Sequence, residues 1–261
     1  MIEERQYMVC TRCSTYNQAS YILDALNGFV MQETTFPVVS VIVDDASTDN
    51  EPQIILDFFN ENFAVNDTSV AYQEETDYGI IFYAQHKKNK NCYFAILLLK
   101  ENHYSQRKSK RPYLSRWQDN AKYIALCEGD DYWINSHKLQ RQIEYMESHP
   151  RCTLTVHSSY WRKNDELLLL GCQDPNPKDY SVEELIRYGG LYFATTSFVY
   201  IPELSHDRPD WRQKAGVGDF PLQIIAGLRG DVHYLPDRMS VYRYESEGSW
   251  SQKMQNIEAY A

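Results

Sequence analysis

The stretch Tyr123-Ile124-Ala125-Leu126-Cys127-Glu128-Gly129-Asp130-Asp131-Tyr132-Trp133 decides the fold. Its apolar run is short and unbroken, the pattern of a strand buried on both faces. It ends abruptly in three carboxylates set around one glycine. Strand side chains alternate with a period of two, so Glu128 and Asp130 point the same way if the extended path continues. Two carboxylates converging at a strand end repel each other unless a cation sits between them. A hard, Mg²⁺-like ion suits them, because it takes one or two carboxylates and completes its shell with water and substrate phosphate. Gly129 lets the backbone bend and a ligand approach. A solvated acidic turn is the plainer alternative, but it leaves the apolar strand before and the two aromatics after unexplained.

Outward from this stretch, strands alternate with helices. A strand is expected over 7–13, a turn at Ser14-Thr15-Tyr16-Asn17, and a helix over 19–31 from the spacing of Tyr21, Ile22, Ala25, Leu26, Phe29 and Val30. A buried strand over 38–43 closes in Asp44-Asp45-Ala46-Ser47-Thr48-Asp49. Ser47, Thr48 and Asp49 are helix-capping types, Pro52 suits a first turn, and Ile54, Ile55, Phe58 and Phe59 carry the helix. A third strand is expected over 80–84, a helix-like segment over 97–100, and a helix over 138–146 ended by His149-Pro150. A strand follows over 152–161. Ser181-Val182-Glu183-Glu184 reads as a capping box opening a helix to Tyr188. Strands over 196–201, 232–235 and 239–244 flank a helix over 219–228. This order predicts one α/β domain over 1–261 with a mostly parallel sheet and right-handed crossovers. Residues 1–135 make its nucleotide-facing half and 136–261 its more variable half.

Composition sets the bounds. The 261 residues are 43% hydrophobic and 24% charged, ordinary for a globular protein, and the net charge of -10 disfavours nucleic acid as a partner. A mean hydropathy of -0.57 and no long uncharged apolar run argue against a membrane span. The polar, acidic start is unlike a signal or transit peptide. The 6 cysteines are scattered. The Cys10–Cys13 pair lies within a strand, where residues three apart face opposite sides, so reduced structural thiols in the cytoplasm are expected. Two basic clusters, 87–90 and 107–111, read as solvated loops, or as surfaces steering a polyphosphate or touching an anionic membrane face.

In an open parallel sheet, ligands bind outside the carboxyl ends of the strands. Three polar constellations fall at such ends: Ser14-Thr15-Tyr16-Asn17, Asp44-Asp45, and Glu128-Gly129-Asp130-Asp131. If the strands are neighbours, these line one crevice. A base then stacks on Tyr16, Asp44 accepts a base N–H, Asp45 meets a ribose hydroxyl, and a metal on Asp130 bridges a diphosphate. Taken singly, Ser14 and Asn17 also suit a turn, and Asp44 and Asp45 a loop before a cap.

With these motifs in hand, the sequence resembles the family 2 glycosyltransferases of the GT-A fold, a Rossmann-like central sheet flanked by helices with a smaller mixed acceptor-side region. The resemblance rests on 14–18, 41–49 and 123–133 in that order. It implies a nucleotide-sugar donor, often UDP-linked, Mn²⁺ or Mg²⁺ as cofactor, and inversion at the anomeric carbon. It carries donor contacts onto Ser14, Thr15, Tyr16, Asp44, Asp45, Glu128 and Asp131, and metal binding onto Asp130 and Glu128. The first acid of the family's Asp-x-Asp motif is here Glu128.

The resemblance also places the general base, which takes the acceptor's proton, on Asp219, in Gly218-Asp219-Phe220-Pro221. Asp219 equally suits a helix start. Arg243, and the segment Gly248-Ser249-Trp250-Ser251, are similar to the family's closing segment over the diphosphate, although Tyr244 stands where a His is usual. Trp161, Thr195, Thr196, Trp211 and Trp250 are candidates for an acceptor cleft, or for packing. The acceptor expected is a carbohydrate or a lipid-linked sugar, with peripheral contact at the inner face of a membrane. The basic segment 102–116 has no assignment. The rival readings are a sugar-phosphate nucleotidyltransferase, which lacks its Gly-rich basic loop here, and a non-catalytic nucleotide-sugar-binding subunit of a polysaccharide assembly.

Overall fold

A computed structural model describes residues 6–163, 166–169, 171–206, 209–244 and 246. Strand β1 (Tyr7–Thr15) turns into helix α1 (Ile22–Val30). Strand β2 (Val38–Asp44), buried along its length, leads to α2 (Glu51–Asn62), with Pro52 in the first turn. Strands β3 (Ala71–Glu75) and β4 (Gly79–Gln85) form an antiparallel hairpin, and β5 (Cys92–Leu99) pairs with β4. Next come α3 (Arg111–Gln118), β6 (Ala121–Leu126), β7 (Tyr132–Trp133) and α4 (Lys138–Ser148). Strands β8 (Cys152–Lys163), β9 (Glu166–Leu168) and β10 (Lys178–Tyr180) precede α5 (Val182–Tyr188). A 3-10 turn (Thr195–Ser197) enters β11 (Val199–Tyr200). Helices α6 (Glu203–His206), α7 (Asp210–Lys214) and α8 (Asp219–Arg229) then lead to β12 (Asp231–Arg243).

The strands make one sheet in the order β10-β12-β8-β11-β6-β1-β2-β5-β4-β3, with β7 paired to β12 and β9 to β8. Strands β6, β1, β2 and β5 are parallel neighbours. The two residues of β11 run antiparallel to both β6 and β8, and β8 is parallel to β12. The carboxyl ends of β5, β2, β1, β6, β8 and β12 therefore share one edge, and the amino end of β11 joins them.

The sheet is covered on both faces, as a parallel sheet must be. On one face, Val9 and Cys13 pack with Ile22, Leu26 and Phe29 of α1, Ile55 and Phe59 of α2, and Leu139 and Ile143 of α4. On the other, Cys10 and Val41 pack with Leu114 and Trp117 of α3, while Ile124 and Leu154 pack with Leu185 of α5 and Leu222 and Ile225 of α8. Full burial of each large aliphatic contributes about 1.5–3 kcal/mol. Cys10 and Cys13 fall in different cores, and all six cysteines are free and buried. No helix among the described residues is long and apolar enough to cross a membrane.

Several sequence expectations are corrected. Of the segment 97–100, residues 97–99 belong to strand β5, not a helix. The run Cys92–Leu99 is apolar almost throughout, and periodicity cannot separate a doubly buried strand from a buried helix. The strand over 80–84 is real but antiparallel, and its partner β3 is exposed and polar, so it gave no apolar signal. The basic segment 102–116 runs into helix α3, which begins at Arg111. Ser14 and Thr15 extend β1. Residues 196–201 split into a 3-10 turn and a two-residue strand. The two last strands are one, β12, whose register on β8 shifts between Leu235 and Ser240. The capping box of α5 is present as expected, with Ser181 and Glu184 bonded reciprocally.

Candidate active site at the carboxyl edge of the sheet

The loops after β1 and β2 are stitched together by hydrogen bonds. Glu51, fully buried at the start of α2, accepts the Thr15 hydroxyl at Oε1, and the Gln18 N–H and Ser47 hydroxyl at Oε2, both at 2.9 Å. Burial pushes the Glu51 carboxyl up, and these donors oppose the shift. Asn17 Oδ1 accepts the Thr48 N–H at 2.7 Å, and Asp49 Oδ2 the Ala19 N–H at 3.0 Å. Asn50, not Ser47, Thr48 or Asp49, is the N-cap of α2 and makes no side-chain cap bond, while Asp49 Oδ1 accepts the N–H of Glu51, the first helical residue, at 3.0 Å. Asn17 (φ 54) and Ala46 (φ 62) occupy the left-handed region at the two turns. Thr15, expected at the donor, is thus a buried support, whereas Tyr16 stands 42% exposed just beyond the end of β1.

Asp44 and Asp45 are both buried, with different surroundings. Asp44 Oδ1 accepts the Ser47 N–H at 3.0 Å, while Oδ2 is buried with no hydrogen-bond partner among the described residues. Burial raises its carboxyl, opposed by Ser47. An orphaned acceptor of this kind fits a ligand N–H. Asp45 accepts the N–H groups of His103 (2.9 Å) and Tyr104 (3.0 Å) and pairs with Lys110 Nζ at 2.9 Å. The carboxylate expected at a ribose hydroxyl therefore anchors the segment between β5 and α3.

The acid motif does not continue as a strand. β6 ends at Leu126, and a turn closes with the Asp131 N–H on Glu128 O at 3.1 Å. The alternation argument for Glu128 and Asp130 therefore fails, and the turn brings the acids together instead. Glu128 Oε2 accepts the Ser14 N–H at 3.2 Å. Burial raises its carboxyl, Arg12 opposes, Asp130 raises it further and Lys110 opposes. Asp130 Oδ2 accepts the Ser246 hydroxyl at 2.6 Å. Asp131 is buried and its Oδ1 accepts the Arg243 N–H at 2.8 Å. Its carboxyl is held well above the usual range by burial, then by Asp130. Arg243 Nη1 donates to Asp130 O at 2.6 Å, Nη2 pairs with Asp24, and the guanidinium lies over the rings of Tyr132 (4.5 Å) and Tyr21 (5.0 Å). Gly129 has a specific cause. A Cβ there would lie 2.2 Å from Thr15 Oγ1 and 2.6 Å from Gln18 Oε1, so the glycine admits neighbouring side chains rather than a ligand.

Asp219 is the first residue of α8, behind an N-cap Gly218 that makes no side-chain cap bond. Its Oδ2 accepts the Thr195 hydroxyl at 3.2 Å and its Oδ1 the Phe220 N–H at 2.9 Å. Thr195 opens the turn before β11, and the turn abuts the acid loop: Thr196 Oγ1 donates to Cys127 Sγ at 3.3 Å, and Trp133 Nε1 to Thr196 O at 3.0 Å. Sheet order thus brings Asp219 to the same edge as Ser14, Asp44, Asp45 and Glu128, Asp130 and Asp131. Trp161 lies near the carboxyl end of β8, buried against Tyr242, and Trp211 is exposed on α7. Residues 248–251, including Trp250, lie outside the described residues.

Sequence reasoning missed Glu51, Asp24 and the clamp of Asp45 on residues 103–110. An acid in a first helical turn is commonplace, and nothing in the sequence marks Glu51 or Asp24 as bonded across the fold.

The family model described as Glycosyl transferase family 2 matches residues 13–199. The uncharacterized proteins Rv1520 of Mycobacterium tuberculosis and Mb1547 of Mycobacterium bovis are each 30% identical over 241 residues, covering 90% of this chain and 58% of the relative. The chain thus spans less than two thirds of the length of these curated relatives. Among solved structures, S. aureus TarS 1-349 in complex with UDP superposes with a TM-score of 0.59 at 16% identity, covering 90% of this chain and 60% of that one. The mannosyltransferase PcManGT from Pyrobaculum calidifontis, in complex with GDP-Man and Mn²⁺, superposes with a TM-score of 0.54 at 14% identity, covering 97% and 61%. The mixed α/β architecture is that of the GT-A glycosyltransferases.

Proposed function

The chain belongs to glycosyl transferase family 2, and from that membership we propose that it is an inverting, metal-dependent enzyme. It moves a hexosyl or N-acetylhexosaminyl unit from a UDP-linked donor to a hydroxyl of a polysaccharide or glycolipid acceptor. The observation that carries the reading is the convergence, on one edge of the sheet, of an orphaned buried acceptor on Asp44, the acid turn 128–131, and Asp219 held by Thr195. Residues 1–135 serve the donor and 136–261 the acceptor.

Each residue's role follows from its surroundings. Tyr16 offers an exposed ring on which a base stacks. Asp44 Oδ2 takes the ring N–H that uracil presents. Ser14 and Glu128, bonded to each other, border the nucleoside, and Asp45 holds residues 103–110 against it. No three His, Cys, Asp or Glu among the described residues form a cage for an ion. The acid turn instead offers hard carboxylates that repel one another, which fits a Mn²⁺ or Mg²⁺ completed by substrate phosphate. Asp130, with Glu128 or Asp131, would hold it. When bound, the ion supplies charge neutralisation to the departing diphosphate. Arg243, fixed by Asp24 beside Asp130, adds positive field there.

In the reaction, the acceptor oxygen bonds to the anomeric carbon from the side opposite the diphosphate. The bond to the diphosphate breaks, the electron pair leaves with it, and the acceptor proton passes to Asp219. Thr195 fixes the orientation of that carboxylate. A cytoplasmic site, with peripheral membrane contact when the acceptor is lipid-linked, fits six free buried thiols.

Asp219→Asn should lower transfer by about 10²–10⁴-fold, the usual worth of a general base, with UDP-sugar binding by calorimetry unchanged. Transfer should also stop on chelation and return with Mn²⁺. Parental turnover in the Asp219→Asn variant removes Asp219 from the role; UDP-sugar binding with neither transfer nor donor hydrolysis in the parent makes the chain a binding subunit.

A further inference from the structure

Beneath the acid loop lies a lysine with no solvent contact. Lys138 is fully buried at the first turn of α4. No carboxylate among the described residues pairs with it. Its ammonium donates to Gln142 Oε1 at 2.8 Å and lies 4.2 Å from the ring centre of Trp133. Three features make this costly. Burial strips the ion of water, the amino end of a helix repels a cation, and a single acceptor among the described residues replaces the several partners that water would supply. The titratable groups facing it, Cys127 and His157, are buried too and bring no negative charge, since burial raises the thiol and lowers the imidazole. A methionine would fill the same space at lower cost.

The contacts point to what the ammonium does. An ammonium can only donate, so Gln142 must turn its Oε1 toward Lys138 and its Nε2 away. Nε2 then donates to Ser197 O at 2.8 Å and lies 3.2 Å from Thr155 Oγ1. Trp133, on which the ammonium rests, donates to Thr196 O at 3.0 Å. Both contacts brace the 3-10 turn Thr195–Ser197, and the first residue of that turn bonds Asp219 Oδ2.

We propose that Lys138 is a positioning residue for the transfer reaction: through Gln142 and Trp133 it locks the 195–197 turn, and through Thr195 it sets the carboxylate of Asp219. The inference rests on Asp219 being the base. Lys138 touches no substrate. The carbonyls of Ser197 and Thr155 hold Gln142 Nε2, and Lys138 supplies the donor to its buried Oε1; an apolar side chain would leave that oxygen without a partner and let the amide shift away from the turn that carries the base. A shift of about 1 Å in such a group costs up to about a hundredfold in rate.

The test measures transfer and thermal unfolding of the full chain for Lys138→Met, Thr195→Val, the double variant and Asp219→Asn, with UDP-sugar and Mn²⁺. Lys138→Met should lower kcat about tenfold or more, leave the donor KM within about twofold, and raise Tm. Thr195→Val should lower kcat similarly, and the double variant should be no slower than the slower single variant, because both act through one turn. Gln142→Glu, which keeps a partner for Lys138 but removes the donor to Ser197 O, should also lower kcat. The inference is overturned if Lys138→Met keeps parental kcat, if it loses Tm and activity together, or if the two single losses multiply. Asp219→Asn reports separately: should that variant transfer like the parent, the base assignment fails, whatever Lys138→Met does.

Discussion

At the scale of single residues, the site is governed by buried charges whose neighbours were invisible in the sequence. Lys138 is the sharpest case. Burial depresses its pKa from 10.5 to about 7. For a base shifted down, the unfolded chain takes up the proton first. Between about pH 7 and 10.5 the unfolded state thus holds more protons, and stability from this residue rises with pH across that window. Lys138→Met lacks this dependence. It should be more stable than the parent at pH 7, by an amount on the order of 1–4 kcal/mol as for other buried charges replaced by apolar groups. Urea unfolding at pH 7, 8 and 9 should show that advantage shrinking as pH rises; a constant advantage would mean that folded Lys138 stays charged up to pH 9 and that burial does not depress its pKa. Asp44 and Asp45 teach the complementary lesson. They are adjacent and alike in the sequence, yet one keeps an orphaned oxygen and the other is saturated by residues 103–110.

At the scale of elements, the site is made by short connections rather than by strands. The acid turn 128–131 and the turns holding Asn17 and Ala46 meet where Gly129 touches Thr15. Gly129→Ala should force Thr15 off Glu51 and loosen both loops, costing about 1–3 kcal/mol as other overpacking changes do. It should also weaken UDP binding beyond that of a surface variant of equal stability. Calorimetric titration with UDP and Mn²⁺ checks this, and parental affinity would show that the Thr15–Gln18–Glu51 knot does not shape the donor site. The strands were legible where burial on both faces left an apolar run, as in β2 and β6. They were illegible where the strand is polar and exposed, as in β3, or where a buried run lacks any period, as in β5, whose last residues read as helix-like.

At the scale of the whole molecule, the reversal of β11 between β6 and β8 is what unites the chain's two halves on one edge. Two residues suffice, because they keep β8 and β12 parallel to β6 and so send Arg243 back to Asp130 and Asp131. A donor bound at that edge should stabilise the chain as a unit. Saturation at one hundred times Kd corresponds to about 2.7 kcal/mol. Thermal scans with UDP and Mn²⁺ should show one transition shifted upward; a shifted transition beside an unshifted one would mean that the halves unfold separately.

The sequence by itself determined the alternation of strands and helices, the three polar constellations at strand ends and the acid at position 219. These are local facts, written in period, turn chemistry and residue type. Only the tertiary structure decided which acids remain open to a ligand and which are consumed as struts. Glu51, Asp24 and Asp45 find their partners dozens of residues or more away. Whether a buried carboxylate is satisfied depends on donors that the fold alone brings near.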